Sequence, residues 1–203
     1  RGSPGYVVRA IVTNAIATLG HNKTPATAKE VTVTVVGEII RVKSMDCGSM
    51  LTDIITAVMR MVRGSDTVQR CLALRAATKI VVGCGGRVGD LHGDMVKTLM
   101  KILSDKNLEV RVEIAALLRA IAANSDGCTS VNTETMLAAC MKGLEDDIGT
   151  VQDAFAQSVA RIFHEQVLAY RAVQDLARAG KNRGGANEEG DASAGSVSKK
   201  PPT

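Results

Sequence analysis

A segment that recurs down the chain limits the possible folds more than any other feature. With "LSDKNLEVRVEIAALLRAI" (103–121) set above "LEDDIGTVQDAFAQSVARI" (144–162), an offset of 41 brings Leu103 to Leu144, Asp105 to Asp146, Val110 to Val151, Ala115 to Ala156, Leu118 to Val159 and Ile121 to Ile162. An offset of 42 leads back to "VQRCLALRAATKI" (68–80), with Val68 under Val110 and Ala73 under Ala115, and "TAKEVTVTVVGEII" (27–40) is a weaker echo. A constant period of this length marks an array of supersecondary units, none of which can bury its apolar face alone.

Each unit reads as two helices. In the third, Met95, Leu99, Met100, Ile102 and Leu103 form one apolar stripe. Val110, Ile114, Leu117, Leu118 and Ile121 form the second at i, i+4, i+7, i+8 and i+11, the spacing of a helix with one buried side. Between them "SDKN" is a polar turn in which Ser104, Asp105 and Asn107 can each cap a helix. The expected fold is all-α: an α-solenoid of about four stacked antiparallel helix pairs over residues 1–178. Its units lie at about 5–43, 49–82, 90–122 and 133–178. One conflict stands in the first unit, where "VTVTVV" (31–36) has strand propensity while its place in the repeat demands a helix. Residues 179–203 are almost without apolar side chains and rich in Gly, Ser and charge. Such a segment buries too little surface to offset the entropy of ordering, so a disordered tail is expected there.

Composition narrows the function classes. Apolar residues make up 45% of the chain but aromatics only 2%, with no Trp. Small aliphatic side chains suit closely packed helices, and neither a base-stacking platform nor an aromatic-lined ligand pocket. Net charge is +4, with 12 basic against 7 acidic residues up to Asp94 and 13 against 14 beyond it, a bias that ordinary solvated helix faces account for. The five cysteines, Cys47, Cys71, Cys84, Cys128 and Cys140, show no C-x-x-C spacing, and His21, His92 and His164 do not cluster with them. Neither a disulfide framework nor a metal site is expected, and the thiols read as small core residues in a reducing compartment. There is no signal-peptide pattern and no apolar run of about 18 residues. The start at Arg1 and the end in "KKPPT" read as a piece cut from something longer.

The stretch "TKIVVGCGGRVGDLHGD" (78–94) imitates a dinucleotide-binding loop, with an apolar run, Gly83, Gly85, Gly86 and Gly89, and an acid at Asp105. A nucleotide fold places that acid at the end of its second strand. Here Asp105 precedes "LEVRVEI" (108–114), the one segment that could be that strand, and the repeat makes it helical. The expectation is a connector in which glycines end a helix in the left-handed conformation.

Asp105 and Arg111 sit six apart, one in the turn and one on the inner edge of the following helix. In a stacked array such a pair can tie a turn to its own and to the neighbouring repeat. With Asp146 they form a structural ladder, left incomplete because Gln152 stands opposite Arg111. His92 beside Asp94 has no nucleophile near it and reads as a surface histidine. His164 lacks a second His four residues on. "EDD" (145–147) reads as a helix terminus, Met45, Met50, Met59 and Met61 as core filler, and Arg60, Arg63, Arg70, Arg75 and Lys79 as a solvated face. No catalytic, cofactor-binding or metal-binding residue is expected, and no enzyme.

A helix pair of about 41 residues with "LSDKNLEVRVEIAALL" at its joint resembles the HEAT repeat, through Leu103, Asp105, Val110, Arg111, Ala115 and Leu118 and their echoes Leu144, Asp146, Val151, Ala156 and Val159. Gln152 departs from that pattern, as does the absence of the usual proline in the first helices. The order of "VVGEIIR" (35–41), "KIVVGCGG" (79–86), "LMKILSDKNLEVRVEIAALL" (99–118) and "MKGLEDDIGTVQDAFAQSVARIF" (141–163) is similar to the N-terminal region of the HEAT repeat-containing protein five family. That resemblance implies a non-enzymatic scaffold in vesicle trafficking between Golgi and endosomes. The implied partners are clathrin adaptor subunits and flanking HEAT repeats, without nucleic acid or membrane insertion. The implied location is cytoplasmic, peripheral at trans-Golgi or endosomal membranes. A scaffold for another client (nuclear transport, a phosphatase, chromatin assembly) and a nucleotide-binding enzyme using residues 83–89 are the alternatives.

Overall fold

A computed structural model describes residues 4–124 and 130–184. By its contacts the chain falls into two units, Arg1–Gln166 and Val167–Thr203. Every regular element among the described residues is helical. The order is α1 (Pro4–Gly20), α2 (Ala26–Lys43), α3 (Met50–Val62), α4 (Thr67–Cys84), α5 (Gly89–Ile102), α6 (Leu108–Asn124), α7 (Ser130–Leu144) and α8 (Gly149–Gly184), with single 3-10 turns at Ser44–Asp46 and Gly85–Val88. The protein is thus all-α, an α-solenoid of four stacked antiparallel helix pairs among the described residues. Residue 179, where the sequence reading begins the tail, is still inside α8. Residues 185–203 and Cys128 lie outside the described residues.

Local chemistry sets the joints. Asp66 caps α4 by accepting from the Gln69 N–H at 3.0 Å, and Asn107 caps α6 by accepting from the Val110 N–H at 3.2 Å. Each cap satisfies a backbone donor that the first helical turn leaves without a partner. Just upstream, Asp105 Oδ1 accepts from the Asn107 N–H at 2.8 Å, and Asp146 Oδ1 accepts from the Ile148 N–H at 3.0 Å. Two joints one repeat apart therefore fold by the same Asx turn.

The second helices, α2, α4, α6 and α8, follow one another in one layer, and α1, α3, α5 and α7 in the other. Their buried residues align in columns: Val33, Ala73, Ile114 and Phe155; Val36, Ala76, Leu117 and Ser158; Ile40, Ile80, Ile121 and Ile162. This alignment sets the register between the second and third units at 41, correcting the 42 read from sequence. Val68, matched to Val110 in the sequence, is 58% exposed where Val110 is fully buried. The Val/Thr segment is helical in α2 because Val33, Val36 and Ile40 supply the buried side of the column. Packing overrides the strand preference.

Two glycines let this core close. A Cβ on Gly143 of α7 would lie 2.3 Å from the ring of Phe155, so the bulkiest member of its column fits only against a residue without a side chain. A Cβ on Gly37 would meet Ala76 Cα at 3.0 Å, so α2 and α4 approach through small residues. Ser158, the one hydroxyl in the columns, places Oγ 2.8 Å from the Ala115 carbonyl of α6 and 3.0 Å from the Ala154 carbonyl, which satisfies it in an apolar setting. His92 is 1% exposed, which corrects the surface reading. It shares the inward stripe of α5 with Met95, Val96 and Leu99, at i, i+3, i+4 and i+7.

Candidate functional site: the face of the second helices

The glycine segment is a joint between helices. Ile80 and Val82 belong to α4, so no strand leads into it. Gly83 lies inside α4, and a Cβ there would stand 2.4 Å from Arg41 Cα and 2.6 Å from the Ile40 carbonyl oxygen of α2. Gly85 has φ +57° and ψ −142°, a positive-φ turn open to glycine in place of the left-handed helical cap expected from sequence. Across the joint, Ser44 Oγ donates to the Gly83 carbonyl at 2.5 Å. Arg87 donates to the Cys84 carbonyl at 3.2 Å and to Ser44 Oγ. The first of these glycines answers a helix approach and the third residue of the run a backbone turn.

Positions 41 residues apart define a ladder. Arg70 donates to the Gly64 carbonyl at 2.7 Å, Arg111 to the Asp105 carbonyl at 2.7 Å, and Gln152 to the Asp146 carbonyl at 2.6 Å. Each arginine also reaches the next repeat: Arg70 pairs with the Asp105 carboxylate, and Arg111 Nε lies 2.6 Å from Asp146 Oδ2. Arg111 and Asp105 of the same turn thus meet through the backbone carbonyl, and the carboxylate of Asp105 answers the preceding repeat. Gln152 keeps the bond within its own turn but carries no charge to pass on. The pair between Arg111 and Asp146 is 13% and 15% exposed, so both ions are held in a partly dry seam. A cavity of about 480 Å³ beside it is lined by Lys106, Lys142, Glu145 and Asp147 along with these residues. Its charges are of both signs, and its two central groups are engaged with each other.

On the outer side of the second helices the sequence's basic group resolves into bridges. Arg75 Nε lies 2.6 Å from Glu113 and its Nη2 3.1 Å from Glu109 of α6. Lys79 lies 2.8 Å from Glu38 of α2. Arg119 of α6 donates to Gln157 of α8. Lys79, then Arg41, hold the Glu38 carboxyl down at about 2, and Glu113 leads the groups that raise Arg75. Arg60 and Arg63 remain exposed. The acidic partners were not found from sequence, because each lies 34 to 41 positions away on a different helix.

Between these bridges lies uncovered apolar surface. Val31 is 64% and Val35 47% exposed, and both stand on the outward side of α2. A cavity of about 180 Å³ on one side is lined by Ile11, Ala15 and Thr18 of α1 with Val31 and Val35. One of about 300 Å³ on the other is lined by Glu30, Thr34 and Leu72 with the same two valines. Thr18 and Thr34 return their hydroxyls to the Asn14 and Glu30 carbonyls at 2.8 Å each. The ridge is not legible in the sequence, where Val31 and Val35 look no different from the buried Val33 and Val36.

The thiols are of the core kind. Cys47, Cys71, Cys84 and Cys140 are buried, and burial pushes Cys84 up to about 11 and Cys140 up to about 12. Of the methionines, Met59 and Met61 are buried, Met50 is half-buried and Met45 is exposed, against its reading as core filler. Among the described residues no group of three or more His, Cys, Asp or Glu could hold a metal ion. No described helix is long and apolar enough to cross a membrane.

No family model matches the chain. It is similar to the crystal structure of an engineered protein, a Northeast Structural Genomics Consortium target, with a TM-score of 0.61 and 17% sequence identity over 80% of this chain and 68% of that one. At that identity the likeness concerns the fold alone.

Proposed function

We propose that the chain is a non-enzymatic scaffold segment whose second-helix face receives an apolar stretch of another protein. The observation that carries this reading is the ridge of Val31 and Val35, uncovered between two cavities, while the neighbouring charges of Glu38, Lys79, Arg75 and Glu113 are paired with one another. Paired charges give a phosphate-rich partner no counterion release to exploit. An apolar partner gains from desolvating the valines and Leu72. Each half-exposed valine offers roughly 1 kcal/mol on full burial, so useful affinity needs contacts over several repeats, as a solenoid surface provides. The resemblance to the HEAT repeat-containing protein five family directs the first partner trial to clathrin adaptor subunits and to trafficking between Golgi and endosomes.

The test is binding of purified adaptor complex to the immobilised chain, wild type against a Val31→Glu, Val35→Glu variant. The expected result is binding that drops at least about tenfold, or about 1.4 kcal/mol, with helicity and melting unchanged. Absence of wild-type binding would remove the adaptor as partner. A bound partner indifferent to the double variant would remove this face. Thermal stabilisation by a nicotinamide or adenine nucleotide would overturn the non-enzymatic reading.

A further inference from the structure

The ladder has a beginning as well as an end. The second helices start at Ala26, Thr67, Leu108 and Gly149, 41 residues apart each time, so Lys29 stands where Arg70, Arg111 and Gln152 stand. In the two complete rungs the cation meets a carboxylate 35 positions on, Arg70 with Asp105 and Arg111 with Asp146. For Lys29 that position is Gly64, which has no side chain to answer it. Other cations gather on the same edge. Arg63, next to Gly64, is exposed. Arg60 is exposed too and reaches the end of α1, where a Cβ on Gly20 would lie 3.9 Å from its Nη1. Lys23 is exposed in the turn after α1. Among the described residues none of Lys23, Lys29, Arg60 and Arg63 forms an ion pair with another described residue. The nearby acids are Asp66, which caps α4, and Glu30, which lies with Leu72 beside the apolar ridge, so the first two turns keep an excess of positive charge. By the fourth unit the same edge has turned acidic, with Glu145, Asp146 and Asp147 beside Lys142.

We propose that the turn edge of the first two units binds an acidic peptide segment of another protein, one carboxylate of which meets Lys29 at Gly64 as Asp105 and Asp146 meet Arg70 and Arg111. This surface is separate from the apolar ridge and does not rest on it. A carboxylate at this place gains twice. It takes a charge-assisted bond from the Lys29 ammonium. It also accepts from the Asp66 N–H, as Asp105 and Asp146 accept from the N–H two residues along, those of Asn107 and Ile148. Lys29 is half-buried, so this pair is screened less than one in open solvent. Arg60, Arg63 and Lys23 act through their field, which raises the local concentration of an anionic chain and its rate of association. Turns of successive repeats stand about 10 Å apart, the reach of about three extended residues. Carboxylates three positions apart on the segment therefore meet Lys29 and Lys23 together. Nucleic acid fits less well, because residues 20–30 and 60–70 hold no Phe, Tyr or Trp on which a base could stack.

The experiment is an anisotropy titration of the whole 203-residue chain into a labelled peptide, Ser-Glu-Asp-Ser-Glu-Asp-Ser, with the amide counterpart Ser-Gln-Asn-Ser-Gln-Asn-Ser as control. The acidic peptide is expected to bind saturably at about 10–500 µM, to weaken at least about tenfold between about 0.05 and 0.5 M salt, and the amide peptide is expected not to bind. Lys29→Gln and Arg63→Gln are each expected to weaken binding about threefold to tenfold. Gly64→Asp supplies the carboxylate within the chain without removing a cation, and is expected to abolish peptide binding. Gly64→Ala shares its Cβ contact, 3.0 Å from the Met61 carbonyl oxygen, and is expected to keep it. The rise in melting temperature of Gly64→Asp over Gly64→Ala is expected to vanish in a Lys29→Gln background, a readout that overall charge alone does not move. Absence of saturable binding overturns the proposal, as do equal binding of the two peptides, indifference to Lys29→Gln, or a Gly64→Ala chain that fails as fully as Gly64→Asp. Tighter binding of a duplex oligonucleotide of equal charge, or of phosphatidylserine vesicles, would also overturn it. None of these substitutions touches Val31 or Val35, so failure here and failure of the ridge reading are separate results.

Discussion

Placing a methyl group on residue 83 sets two effects against each other. In an isolated helix Gly→Ala gains up to about 1 kcal/mol, because the alanine chain has less backbone freedom to lose. At this position the new Cβ would stand 2.4 Å from Arg41 Cα and 2.8 Å from the Arg41 carbonyl oxygen, where carbon atoms ordinarily rest about 3.5–4.0 Å apart. The obstacle is backbone, so no rotamer change relieves it. Instead α2 must move by more than about 1 Å from α4, along a seam already closed at Gly37 and Ala76. Overpacking costs about 1–3 kcal/mol, and against backbone the upper part of that range, about 2–3 kcal/mol, applies and exceeds the propensity gain of up to about 1 kcal/mol. The expected outcome for Gly83→Ala is a net loss of about 1–2 kcal/mol in urea denaturation, or a melting temperature lower by about 2–8 °C. Gly89→Ala is the control: its Cβ meets nothing within 4 Å and its φ of −53° is helical, so it is expected to be neutral or stabilising. A Gly83→Ala protein as stable as the wild type would refute the close approach of α2 and α4, and with it the reason given for the first glycine of the run.

Phe155→Ala should cost about 3–5 kcal/mol in the same denaturation assay, because the ring fills its column against Gly143. Asp146→Asn should cost about 2–3 kcal/mol, and a double-mutant cycle with Arg111→Gln should show strong coupling; Arg75→Ala, at an exposed bridge, should cost under about 1 kcal/mol. For Glu38 the folded-state value of about 2 lies below the ordinary 4.5, so its bridge stabilises fully above that ordinary value and is lost as pH falls toward the folded one. The melting-temperature gap between wild type and Glu38→Gln should therefore be level above pH 4.5 and close between 4.5 and 2. Cys47, Cys71, Cys84 and Cys140, buried and raised, should resist alkylation at pH 8 until denaturant is added, as counted by mass spectrometry; rapid labelling of any of the four in the native state would contradict their burial.

The sequence alone determined the helices, their pairing and the absence of a strand before the glycines, because burial along a helix recurs every three to four residues and leaves a pattern that survives substitution. Val110, Ile114, Leu117 and Ile121 carry it in α6 whatever the neighbouring unit contains. The cap at Asn107, one of three candidates in its turn, was legible for a related reason, since an N-cap bond spans only three residues. Tertiary structure alone decided the register of 41 between the second and third units, the approach of Gly83 to Arg41, the seat of Phe155 on Gly143 and the carboxylate partners of Arg70, Arg75 and Lys79. Apart from Gly143 and Phe155, which face each other within one unit, these contacts join residues roughly one repeat apart. They depend on how far one helix is shifted and how closely it lies against the next, quantities that no spacing within a single helix records. The outward ridge of Val31 and Val35 belongs with them: a valine reads the same whether it faces the core or the solvent, and only the position of α4 decides which.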